Sequence, residues 1–292
     1  MMTPFAQVLE KFRNDDKDLR FMAVTDATKA LRDASLKFDA DTEAKVTSDS
    51  ILLLRDQASM VLELLPKFFE ALIPKLTVDK KMEILEEFCK NLTAGDGDLC
   101  DISAMSLKAS MAALSKTTRE PNSNNCIKHV LDAIVNLLNE QTSRDLPVQV
   151  KVTILTVMAD SMPHYATTAQ GDLMKICQML FLYVNQSGSV AIHSIKAIGI
   201  LAKVADSDLY GEIVNKLLIG LQSQSPSTVS AFGKACSEIT RVTSARFVEF
   251  IPQFIPKLVS LTTSDEESIL SASLQILILV LQNIDCCDIS LT

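Results

Sequence analysis

The sequence predicts an all-α solenoid, and three observations predict it. The first is composition: the 292 residues are 48% hydrophobic but only 5% aromatic, with no Trp, three Tyr and eight Gly. So few glycines cannot supply the many turns of a β-sandwich or barrel, where φ > 0 recurs. The second is local period. Phe5, Val8, Leu9 and Phe12 fall at i, i+3, i+4 and i+7, the stripe of an amphipathic helix, and alternation at period two is nowhere sustained. The third is a long-range period. Polar breaks are followed by an apolar residue that opens a new stripe, at Leu19, Val61, Leu99, Val148, Val190, Val229 and Ile269. These lie 42, 38, 49, 42, 39 and 40 positions apart, with one insertion around 116–125. A period of about 40–47 residues holding two helices marks HEAT and armadillo repeats. The expected fold is therefore a right-handed, armadillo-like solenoid of about seven HEAT repeats.

Taken in order, the helix pairs are expected at about 3–35, 41–76, 79–115, 122–163, 168–205, 208–243 and 246–284. Thr3 before Pro4 and Ser225 before Pro226 read as helix starts, and Ser264 with Glu267 as a capping box. Asp98 and Asp265 place negative charge at helix N-termini, so capping accounts for most acidic clusters. The fifth unit repeats the apolar stripe with Ile195, Ile198, Gly199 and Ala202. Pro66 should kink the second helix of its unit, and Pro252 and Pro256 should bend the helix that opens the last one. Repeats that contact only their neighbours make one solenoid over residues 1–292 rather than two domains.

Charge and motifs narrow the function. With 28 basic and 36 acidic residues the net charge is −8, which argues against nucleic-acid binding. No apolar run approaches a membrane span, and the first residues turn charged too early for a secretory signal. Seven scattered cysteines without a CxxC pair read as reduced core residues of a cytoplasmic or nuclear protein. Cys286 and Cys287 are either an exposed helix end or a redox-active or lipidated pair. His129, His164 and His193 lack metal-ligand spacing. No phosphate-binding, dinucleotide-binding, zinc-protease or nucleophile-elbow motif is present, so no cofactor, metal or catalytic residue is expected.

Stacked helix pairs create a long concave wall from the second helix of each unit, and such walls wrap protein partners. Candidates on that wall are Arg20, Lys108, Lys151, His193, Lys196, Lys203 and Lys234, among acidic turns that would favour a basic partner surface. The ends differ. The first helix has one stripe, with polar Thr3, Gln7, Glu10, Lys11 and Arg13 elsewhere, as suits a terminal repeat. The last is apolar almost all round. Leu274, Leu277, Ile278 and Leu281 are expected to pack on further repeats or on a second polypeptide.

DKDLRFMAVTDATKALRDASLKFDADTEAKV (17–46) closely resembles the opening of the cullin-associated, neddylation-dissociated (CAND) family. CDISAMSLKASMAAL (100–114), VQVKVTILTVMADSM (148–162) and EITRVTSARFVEFIPQFIPKLV (238–259) fit the same family in the same order. The likeness covers nearly the whole chain and matches the N-terminal quarter or so of a typical member. It implies a HEAT-repeat scaffold that wraps an unneddylated cullin and its RING subunit and regulates assembly of SCF-type ubiquitin ligases. A HEAT scaffold for another client, such as a phosphatase-scaffold-like, adaptin-like or transport-receptor-like protein, is the alternative.

Overall fold

The computed structural model describes residues 4–116, 121–139, 145–165, 170–263 and 267–284. It is all-α, with no strand among the described residues. The chain divides into two compact units, residues 1–165 and 166–292. The first holds α1 (Pro4–Glu10), α2 (Lys17–Leu31), α3 (Ala40–Leu53), α4 (Ser59–Leu62), α5 (Leu65–Leu72), α6 (Val78–Asn91), α7 (Gly97–Lys116), α8 (Pro121–Leu137) and α9 (Val148–Tyr165). The second holds α10 (Gln170–Val184), α11 (Ser189–Val204), α12 (Ser207–Leu221), α13 (Pro226–Val242), α14 (Ser244–Phe247), α15 (Ile251–Leu261) and α16 (Glu267–Ile284).

Each unit is a two-layer stack. In the first, α1, α3, α6 and α8 pack edge to edge as one layer, and α2, α5, α7 and α9 as the other. In the second, α10 and α12 form one layer and α11, α13 and α16 the other. Consecutive helices such as α6 and α7, or α12 and α13, close each repeat across the layers. This is solenoid architecture, in which an element touches chiefly the repeat before and the repeat after.

Local chemistry explains the helix starts. The carboxylates of Asp16, Asp39 and Asp206 accept from the amides of Asp18, Thr42 and Leu209. Asp96 does the same for Asp98 and Leu99 at the start of α7. Each cap satisfies an amide that the helix leaves without a partner. Ser225 accepts from the Thr228 amide ahead of α13. Thr3, Ser264 and Asp265 lie outside the described residues.

The prolines act differently from expectation. Pro66 does not kink a continuous helix. It lies in the first turn of α5, after a break that leaves α4 a single turn, because its missing amide costs nothing in a first turn. Pro252 likewise opens α15, while Pro256 is accommodated inside it. Two stripe residues, Leu19 and Val148, are exposed rather than buried, each in the first turn of its helix.

Aromatic rings tie successive repeats together. Phe12, Phe68, Phe69 and Phe88 form a chain of edge contacts, with centroids 5.7, 5.4 and 4.8 Å apart. In the second unit Phe181 stacks on Phe232 at 5.6 Å, and Phe247 meets Phe254 at 5.0 Å. Polar staples run at the same one-repeat separation. Arg13 donates to Asp49 at 2.7 Å and Arg20 to Asp56 at 2.6 and 2.8 Å, both pairs 36 residues apart. Arg246 donates to the carbonyls of Ala205 and Asp206 at 2.7 and 2.6 Å and lies 4.0 Å over the Tyr210 ring.

Candidate partner-binding surface

The second-helix layer was expected to carry partner-binding cations, and its residues fall into two groups. Some are engaged within the protein. Arg20 is held by Asp56 and also donates to the carbonyls of Asn14 and Asp15. Its hydrogen bond to Asp56 raises its pKa. Burial pushes the Asp56 carboxyl up, but the Arg20 guanidinium and the Ala58 amide outweigh it and leave it below the usual value. Lys108 on α7 is paired with Asp160 on α9. His193 Nδ1 lies 2.8 Å from the Ser189 carbonyl. Lys151 is half-buried in the first turn of α9.

Lys196, Lys203 and Lys234 are exposed and form no ion pair with a described residue. Two of them converge. In the second unit, a groove of about 520 Å³ runs across α11, α13 and α16. It is lined by Ile192, Ile195 and Lys196 of α11, by Lys234, Ser237, Glu238 and Arg241 of α13, and by Gln275 and Ile278 of α16. Glu238 is neutralised by its own neighbour: Arg241 donates to it twice, at 2.9 and 2.6 Å. Gly199 gives Glu238 room, since a Cβ there would come within 2.9 Å of Glu238 Cγ.

The last helix is only partly as the sequence suggested. Ile269 and Ile276 are buried and Leu277 is half-buried. Leu274 and Ile278 are 45% and 53% exposed. The Leu281 side chain lies outside the described residues. Ile278 thus joins Lys196 and Lys234 in one groove, although the sequence suggested them for separate roles.

Sequence reasoning missed Ile192, Ile195 and Arg241. Their positions at i, i+3 and i+4 beside Lys196, and at i+7 from Lys234, carry the signal, but in an apolar helix it merges with the core stripe. It also missed a smaller pocket of about 180 Å³ in the first unit, lined by Thr25, Thr28, Lys29, Arg32, Leu64 and Lys67. Lys29 there is 3.7 Å from Asp26.

Reactive chemistry is poorly supported. Cys89, Cys100, Cys126, Cys177 and Cys236 are buried free thiols. Burial pushes Cys89, Cys177 and Cys236 up to about 12, so these three are protonated at neutral pH and poor nucleophiles. Cys286 and Cys287 lie outside the described residues. His129 pairs with Glu86 at 3.1 Å, and burial lowers His164. Among the described residues no cluster of His, Cys, Asp or Glu could hold a metal ion, and no helix is long and apolar enough to cross a membrane.

No family model matches the chain. Among curated proteins it is 26% identical over 272 residues to cullin-associated NEDD8-dissociated protein 1 of Drosophila melanogaster, covering 92% of this chain and 21% of that protein. It is 22% identical over 275 residues to cullin-associated NEDD8-dissociated protein 2 of Mus musculus, covering 92% and 22%. The chain is similar to CAND proteins over most of its length. It spans about a fifth of the length of the curated CAND proteins it matches. Among solved structures, importin beta superposes with a TM-score of 0.55 at 14% identity, covering 97% of this chain and 37% of that one. That likeness supports the α-solenoid fold of this chain.

Proposed function

We propose that the chain is a non-catalytic HEAT-repeat scaffold, acting in the cytoplasm or nucleus, that binds the C-terminal, RING-bearing end of an unneddylated cullin. Through that contact it would regulate assembly of cullin–RING ligases. The observation that carries this reading is the likeness to CAND proteins over 92% of the chain. The unpaired lysines of the second-helix layer, Lys196, Lys203 and Lys234, supply a surface with cations available to a partner. The three thiols held protonated by burial, and the motif-free sequence, favour a binding role over an enzymatic one.

Occupying the RING end would cover the neddylation acceptor region, so the modified and unmodified forms must be distinguished. The test is capture of purified unmodified and neddylated cullin–RING complexes on the immobilised full chain. The expected result is retention of the unmodified form and loss of the neddylated one. Equal capture of both, or of neither, overturns the reading in favour of another client.

A further inference from the structure

We propose that the groove across α11, α13 and α16 is a docking site for an amphipathic helix whose apolar side chains are flanked by carboxylates. This goes beyond the cullin reading, since it specifies the chemistry of the docked segment whichever protein supplies it.

Three features support it. The first is unsatisfied apolar surface: Ile192 and Ile278, from helices on opposite sides of α13, are each 53% exposed, and both line the same groove together with half-buried Ile195. Apolar side chains converging from two helices form the kind of patch that marks an interaction site rather than scattered exposure. The second is charge. The lining holds three cations, Lys196, Lys234 and Arg241, against one carboxylate, Glu238. Arg241 already balances that carboxylate's charge through two hydrogen bonds, so the positive charge of Lys196 and Lys234 is uncompensated within the lining. This happens in a chain of net charge −8, where the surroundings would favour the opposite sign. The complementary occupant is acidic.

The third is width. Helices packed side by side lie about 8–10 Å apart, so α11 and α16, both packed on α13, stand roughly 16–20 Å from each other. A helix seated over α13, at the same interaxial spacing, would bring its side chains against both flanking helices, whereas a lone extended strand would leave isoleucine surface wet. The volume of about 520 Å³ suits a few anchor side chains.

The test uses the full chain and a fluorescein-labelled, helix-forming peptide with two leucines four residues apart and glutamates flanking them. A twin carries lysines in place of the glutamates. Fluorescence polarisation should show saturable binding of the glutamate peptide, with the lysine twin at least tenfold weaker. The double variant Lys196→Gln/Lys234→Gln should weaken glutamate-peptide binding about tenfold, and Ile278→Ser at least threefold. Lys175→Gln, at an exposed lysine of α10 in the opposite layer, should leave it unchanged. These side chains are solvent-exposed, so circular dichroism should be unaltered in every variant. Equal affinity for the two peptides, no binding of the glutamate peptide at millimolar concentration, or indifference of binding to the double variant would each overturn the proposal. Peptide binding without cullin capture leaves the groove standing and removes the cullin reading; cullin capture without peptide binding does the reverse.

Discussion

Arg20 shows how a side chain's chemistry can be plain while its role is hidden. In the sequence it is a cation on a helix, and a partner-facing position is the natural expectation. In the fold it closes one repeat onto the next: its side chain is 16% exposed, and that of Asp56, which it holds, is 4% exposed. Nothing in the local sequence of Arg20 reveals Asp56, because the pairing needs the second repeat to be stacked first. Removing the arginine strands a buried carboxylate, so Arg20→Gln should lower stability by about 1.5–3 kcal/mol. The pH dependence has a definite sign. The folded-state pKa of Asp56 lies below the usual 3.8, so its contribution is fully present above that value and is lost as pH falls through the lower, folded one. Urea unfolding at pH 7 and at successively lower pH should therefore show the gap between wild type and variant narrowing below about pH 4. A gap that stays constant or widens on acidification would mean the pair contributes no net charge interaction.

At the scale of helices, most of the architecture was legible because it rests on period and caps. Ser225 announces its helix three residues ahead of the amide it accepts from. Pro66 was misread because a proline inside an apolar stripe looks like a kink, whereas here the chain breaks first and uses the proline to begin afresh. Close approach between helices was not legible at all. Gly220 on α12 looks like an ordinary helical glycine, yet a Cβ there would fall 1.9 Å from a ring carbon of Phe232 on α13. That ring cannot easily retreat, since it is 7% exposed and stacked on Phe181. Gly220→Ala should thus cost stability, although alanine is the better helix former by about 1 kcal/mol. Overpacking of this kind costs about 1–3 kcal/mol, which outweighs the propensity gain. Thermal unfolding should show a lower Tm for the alanine variant. Gly211, where a Cβ would meet nothing within 4 Å, is the control and should gain or hold stability on the same change.

For the molecule as a whole, composition reported the average charge and concealed its distribution. The acidic turns of a chain of net charge −8 suggested a basic partner, while the groove in the second unit presents uncompensated lysines to an acidic one. Both statements hold, and they act over different distances. At about 0.01 M salt the screening length is about 30 Å, so an approaching acidic helix senses the whole negative chain; at 0.15 M it is about 8 Å, and the groove lysines dominate the last stage of approach. Stopped-flow binding of the glutamate peptide should therefore show an association rate that rises between about 0.01 and 0.15 M salt, as long-range repulsion is screened. Dissociation should accelerate over the same range, because salt also weakens the contacts of Lys196 and Lys234 once formed. Lys196→Gln/Lys234→Gln should flatten the salt dependence of dissociation and leave that of association nearly intact, since it makes a chain of charge −8 only slightly more negative. An association rate that falls steadily with salt would show that the peptide is steered by the local cations alone, and that the acidic remainder of the surface plays no part in selecting what the groove admits.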